Sequence, residues 1–243
     1  MKLFAKAFLP HLAAALLLLM LASLYFLPQL QGKVLEQPEI TQYRGMAKEV
    51  RDYSLATGKT SLWTNSMFGG MPTYQINTIS TGNNLRFLDR ILRLGIWHPI
   101  GRFFAAMLCF YILMAVLGVD PGVGALAAVA FGLSTNTMIL YETGHVSKVN
   151  AISYFPLIAA GLLLTYRRHY LWGGILFAVG LGLDVFSNHV QMTYYFMLTL
   201  VVYGIARLID DIRLKQLPHF LKATVALAIA PVPLVFLVTG VGA

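Results

Sequence analysis

The sequence predicts an all-α, polytopic transmembrane helical bundle with a long external first loop. Three observations carry this. Hydrophobic residues make up 58% of the chain and charged residues only 12%, against about 25% charge in a soluble domain. Apolar runs near the roughly 20-residue length that crosses a bilayer recur seven times, at about 8–29, 99–118, 122–141, 151–166, 171–187, 190–208 and 221–241. Between the first and second runs lies a polar stretch, 30–98, dense in charged, aromatic and glycine residues.

The elements follow in order. Lys2 and Lys6 give a basic N-terminus ahead of the apolar run. That run, Leu12 to Leu27, exceeds the apolar core of a signal peptide, about 7–15 residues, and Tyr25, Phe26 and Pro28 make a poor cleavage site. Residues 1–29 therefore read as an uncleaved anchor. The 30–98 segment reads as an external loop with short helices. Within it Leu85, Leu88, Ile91/Leu92 and Gly95 recur on one helical face, with Arg86, Arg90 and Arg93 interleaved. That pattern predicts a helix lying in the membrane interface, either as a connector or as a basic surface for lipid phosphates. Residues 99–243 read as a six-span bundle.

The positive-inside rule orients the spans. Lys2 and Lys6 hold the N-terminus in the cytoplasm. Alternation then puts 30–98, Glu142–Asn150 and Ser187-Asn188-His189 outside, and Asp120-Pro121-Gly122, Arg167-Arg168-His169 and Arg207–Lys222 inside. The net charge of +8 sits mostly at the ends of apolar runs. It is explained by topology and anionic headgroups, so membrane lipid rather than nucleic acid is the expected partner. Cys109 is the single cysteine and excludes an intrachain disulfide. There is no phosphate-cradling glycine loop, no Walker lysine and no His-Glu-x-x-His, which argues against a nucleotide-driven pump. No repeat of helix pairs supports an inverted-repeat transporter.

Three polar groups converge on the predicted outer side. Glu39, with Gln42, Tyr43 and Arg44, follows the first span; a carboxylate there is a candidate general base or divalent-cation ligand. Trp63-Thr-Asn65-Ser-Met-Phe68-Gly69-Gly70-Met-Pro72 pairs stacking surfaces with glycines that reach conformations closed to other residues. The third group is His145 and Lys148 in one turn, with Asp184, Asn188, His189 and Gln191 around another. Asp184, Asn188, Gln191 and Tyr195 share a face if one helix runs through them. Asp184 is the only carboxylate inside a predicted span, and such residues are functional candidates by default.

The stretches Glu39-Ile-Thr-Gln-Tyr-Arg-Gly-Met46, Leu62 to Pro72, Gly144-His-Val-Ser-Lys-Val149 with Tyr154-Phe-Pro-Leu157, and Ser187 to Tyr195 resemble YfhO-type bacterial membrane proteins. That family is similar to GT-C glycosyltransferases, which take a sugar from a polyprenyl-phosphate carrier outside the inner (cytoplasmic) membrane. The resemblance implies that Glu39, at a position where the family more often has Asp, is catalytic. It implies that Trp63, Phe68 and Tyr74 shape a sugar pocket, and that His145, Asn188 and His189 supply hydrogen bonds. Arg44, Lys148 or the Arg86–Arg93 face would meet the leaving phosphate. The family's chains are longer, so this sequence would correspond to their N-terminal portion. The alternative is a non-enzymatic transporter, flippase fragment or assembly partner using the same polar groups as a path.

Overall fold

The computed structural model describes residues 2–73, 76 and 84–233. The chain is helical almost throughout, with one two-stranded hairpin among the described residues. The helices are α1 (Lys2–Tyr25), α2 (Leu27–Leu30), α3 (Pro38–Met46), α4 (Lys48–Thr57), α5 (Leu85–Leu92), α6 (Ile100–Leu117), α7 (Pro121–Gly132), α8 (Thr135–Thr143), α9 (Val146–Tyr166), α10 (Tyr170–Phe186), α11 (Val190–Arg213) and α12 (Leu217–Ile229).

Among the described residues, α1, α6, α9 and α11 are long and apolar enough to cross a membrane. α7 and α8 make a fifth candidate if their bent pair counts as one span. The expected 122–141 run is therefore not one straight helix. It breaks at Leu133–Ser134 with a 45° bend, because Ser134 caps α8 by accepting from the Thr137 amide and so starts a new helix. α10, with 17 residues, and the described α12, with 13, are shorter than a full crossing. The window of α11 has none of its residues buried within the chain and that of α1 only 17%. Apolar helices bare on this scale need an apolar medium around them, which identifies a membrane protein.

Packing sorts the bundle into two ends. α9 and α10 form an antiparallel hairpin in which glycines let the backbones touch. A Cβ on Gly161 would run into the Phe177 backbone, one on Gly173 into Thr165, and one on Gly180 into Ile158. α11 runs parallel to α9: the Phe155 and Phe196 rings stack at 4.1 Å, and Tyr203 and Arg207 reach Tyr166. α1 runs antiparallel to α6, with Tyr25 on Phe103 and His11 Nδ1 2.7 Å from the Tyr111 hydroxyl.

It follows that α1's start, the Asp120 turn, Arg167–His169 and Arg213–Gln216 share one end. Arg167 donates to the Val116 carbonyl and Arg168 to Gln216 Oε1 across that end. The described residues between Phe26 and Pro99, the Gly144 turn and the Ser187–His189 turn gather at the other. His219 is buried at the first end, between the Tyr170 hydroxyl and the Tyr166 carbonyl.

Candidate functional site

The described part of the 30–98 segment is docked on its end of the bundle through Gln37, Glu39 and His98. Gly144 closes α8 in a left-handed conformation, φ +89°, and a Cβ there would stand 2.9 Å from Gln37 Cβ and 3.4 Å from Glu39 Cβ. The bare glycine lets the start of α3 sit on the turn. Gln37, only 3% exposed, anchors it by donating to the Tyr141 carbonyl, with its Oε1 3.3 Å from His98 Nε2. The His98 ring stacks on Tyr141, and its carbonyl accepts from Gln29. Burial, with Arg102 and Arg93 nearby, pushes the His98 imidazole down to about 4, so it is neutral at physiological pH.

This docking brings Glu39 to His145. The carboxylate Oε1 lies 3.6 Å from His145 Nε2, and each side chain is a little under half exposed, 46% and 42%. A water-accessible carboxylate beside an imidazole can accept and relay a proton. Gln42 and Arg44 are exposed on α3, Tyr43 is 41% exposed, and Lys148 is half-buried in the first turn of α9.

The Trp63–Pro72 segment is an antiparallel hairpin of β1 (Trp63–Thr64) and β2 (Met71–Pro72), pairing Trp63 with Pro72 and Thr64 with Met71. Its reversal uses three positive-φ residues, Phe68 (51°), Gly69 (74°) and Gly70 (124°). Gly70 lies against the indole, where a Cβ would come within 2.8 Å of Trp63. Trp63 Nε1 donates to Asn65 Oδ1 at 3.2 Å. Phe68 projects from the tip, 88% exposed.

The residue that fixes this loop is Glu49 on α4. One of its oxygens accepts from the Thr64 hydroxyl and from the Asn65 and Ser66 amides, the latter two at 3.0 and 2.9 Å. These bonds, the Thr64 hydroxyl's first, hold its carboxyl below the ordinary glutamate value. No sequence pattern marks it: it is one charge in a polar helix.

α5 is a helix whose expected apolar face packs on the bundle: Leu85 and Asp89 are buried and Leu88 and Leu92 pack with Tyr154, Leu157 and Leu183, so Leu92 rather than Ile91, 51% exposed, completes that face. The inward carboxylate of Asp89, 3% exposed, accepts from the Tyr154 hydroxyl and pairs with Arg93. A carboxylate four residues after Leu85 and four before Arg93 is the signal that could have revealed it. α5 and the turn after it border a cavity of about 1020 Å³ whose described lining includes Arg86, Arg90, Arg93, Trp97, His98 and Arg102.

The Asp184 group does not assemble as the spacing predicts. The helix breaks at Ser187–His189, with Asn188 left-handed at φ 55°, so Asp184 and Asn188 do not continue onto the face of Gln191 and Tyr195. Gln191 Nε2 donates to the Tyr195 hydroxyl at 3.2 Å on exposed α11. Asp184 is fully buried in α10. Neither of its carboxylate oxygens has a hydrogen-bond partner, although Thr193 faces it from α11. His189 stands at the same bundle end as His145, and its Nδ1 is buried without a partner. Tyr74 lies outside the described residues. Among those described, no three His, Cys, Asp or Glu side chains gather for a metal ion. No family model matches the chain, and no curated protein or solved structure does either.

Proposed function

We propose that this is a multi-pass protein of the bacterial inner membrane, with YfhO-type, GT-C-like glycosyltransferase activity. It would have a cytoplasmic N-terminus, seven crossings and residues 30–98 outside. It moves a sugar from a polyprenyl-phosphate donor to an extracytoplasmic acceptor. The observation that carries this reading is the approach of Glu39 to His145, 3.6 Å apart at the same bundle end as the arginine-lined cavity. Glu39 takes the proton from the acceptor hydroxyl as that oxygen bonds to the sugar's anomeric carbon. The bond from that carbon to the phosphate breaks, and the electron pair leaves with the lipid phosphate. The arginines stabilise that leaving charge. Trp63 gives the sugar a stacking face.

A translocation path would need polar groups continuing past Asp184 toward the other end. The seam there is Ile158, Leu162, Phe177 and the Phe155–Phe196 stack, which favours the enzyme reading. The test is transfer from a labelled polyprenyl-phosphate sugar by membranes containing the chain. Glu39→Gln keeps size and removes charge, and should lower transfer on the order of 10²-fold at unchanged expression. Transfer surviving within a few-fold would remove Glu39 from catalysis.

A further inference from the structure

The cavity beside α5 collects positive charge with little to balance it. Arg86, Arg90, Arg93 and Arg102 line it, together with His98 and Trp97. Asp89 neutralises Arg93 and is itself held by Tyr154, so three guanidiniums remain unmatched by any described ion pair. The arrangement is built rather than loose. Arg93 is set by a buried carboxylate, Arg102 is only partly exposed, and its Nε, like His98 Nδ1, is buried without a partner. Like charges held together beside apolar groups such as Phe87 and Trp97 repel one another unless an anion joins them.

The magnitude of the charge selects the anion. A phosphodiester brings about one negative charge and a diphosphate about two to three. A phosphodiester would leave two of the three guanidiniums unmatched and a phosphomonoester, at about −1.5 to −2, at least one; a terminal diphosphate, at about −3, meets all three, and arginine forks grip phosphate oxygens two at a time. The volume, about 1020 Å³, is at the top of the roughly 300–1,000 Å³ range of ligand pockets, which leaves room for a sugar beside the phosphates. Trp97, 84% exposed, and Phe87, 67% exposed, give it an apolar rim that suits the first units of a lipid chain.

We propose that this cavity is a binding site for a diphosphate group, carried by a lipid or free. It deepens the transferase reading, and rests on that reading only in taking the bound group to be a sugar carrier.

The test is direct binding to the purified full chain in detergent, followed by Trp fluorescence or calorimetry. The probes are a polyprenyl diphosphate, the matching polyprenyl monophosphate, inorganic diphosphate, and nanodiscs of phosphatidylglycerol. The lipid diphosphate should bind about tenfold or more tighter than the monophosphate, about 1.4 kcal/mol. Arg86→Gln and Arg90→Gln, both on exposed side chains, should each weaken it about tenfold, while Arg51→Gln on α4 should not. Inorganic diphosphate binding as tightly as the lipid form would support the site and identify its ligand as free diphosphate. Equal affinity for mono- and diphosphate, phosphatidylglycerol competing as well as either, or no effect of the two arginine variants would overturn the proposal. Diphosphate binding without sugar transfer would keep the site and remove the transferase reading. Transfer without diphosphate preference would do the reverse.

Discussion

At the scale of single residues, Glu49 organises more of the 30–98 segment than Glu39 does. Three donors converge on one of its oxygens, and the hairpin bearing Trp63 hangs from them. Glu49→Gln replaces that acceptor with an amide whose nitrogen cannot accept, and should expose the 62–72 segment to limited proteolysis while leaving the helical content intact. The same bonds make the hairpin acid-sensitive. The folded pKa is depressed below 4.5, so the contribution is fully present above pH 4.5 and is lost as pH falls through the lower, folded value. Proteolysis of the wild-type hairpin across pH 3 to 6 should show protection holding at the upper end and failing at the lower. A hairpin equally resistant in Glu49→Gln would leave Glu49 without this role. The hairpin's turn chemistry was legible in Gly69-Gly70, because positive φ needs glycine. Its anchor was not, because a surface carboxylate gives no sign of which distant amides it will meet. Glu39 was legible as a candidate. Its imidazole neighbour was not, since their approach depends on Gly144 admitting α3.

At the scale of elements, the α9–α10 hairpin holds the bundle together through bare backbone contact. Gly161→Ala puts a methyl where the Phe177 backbone already stands, and backbone cannot rotate aside as a side chain can. Overpacking of this kind costs about 1–3 kcal/mol, and we expect the upper part of that range as a lowered Tm in detergent. Gly204→Ala on α11 is the control: nothing lies within 4 Å of its Cβ position, so Tm should hold or rise slightly, as helix propensity favours Ala. Equal Tm for the two variants would mean that the helices slide apart at little cost. The apolar runs predicted where helices lie, since periodicity and length are local properties, but among the described residues only four helices, or five with the bent pair, are long and apolar enough to cross a membrane. The break at Ser134 was missed, because hydropathy continues through it while the backbone turns on a serine cap. The Ser187–His189 turn was legible in its polar residues; the left-handed Asn188 within it was not.

For the whole molecule, the two-ended sorting of the polar groups matches the alternation read from the basic clusters, and the outward side can be measured. The only native thiol, Cys109, is buried, so it should stay silent to water-soluble reagents. Thr60→Cys, in an exposed part of the 30–98 segment, should react with a membrane-impermeant maleimide on intact spheroplasts. Lys215→Cys, at the opposite end, should react only after lysis. Labelling of both from one side would overturn the orientation. Charge bias gives the order of sides as an expectation from sequence, which this labelling tests. The docking of the described part of 30–98 on the bundle was not legible, because it rests on Gln37, His98 and Asp89, polar residues that look solvent-facing until their partners are known.

The nearly bare α11 has one more consequence. Its uncharged part, 190–206, ends at Arg207 and spans about 26 Å at 1.5 Å per residue, less than the roughly 30 Å hydrocarbon core. Its far portion is fixed, because Arg207 bonds Asp211 at 3.1 Å and lies over the Tyr166 ring, with Asp211 fully buried. The mismatch is therefore met at the free start, Val190, by local thinning of the bilayer. That start adjoins His189 and the candidate site. Bilayer thickness thus acts on the site through a helix pinned at one end, and acyl-chain length becomes a variable of its geometry.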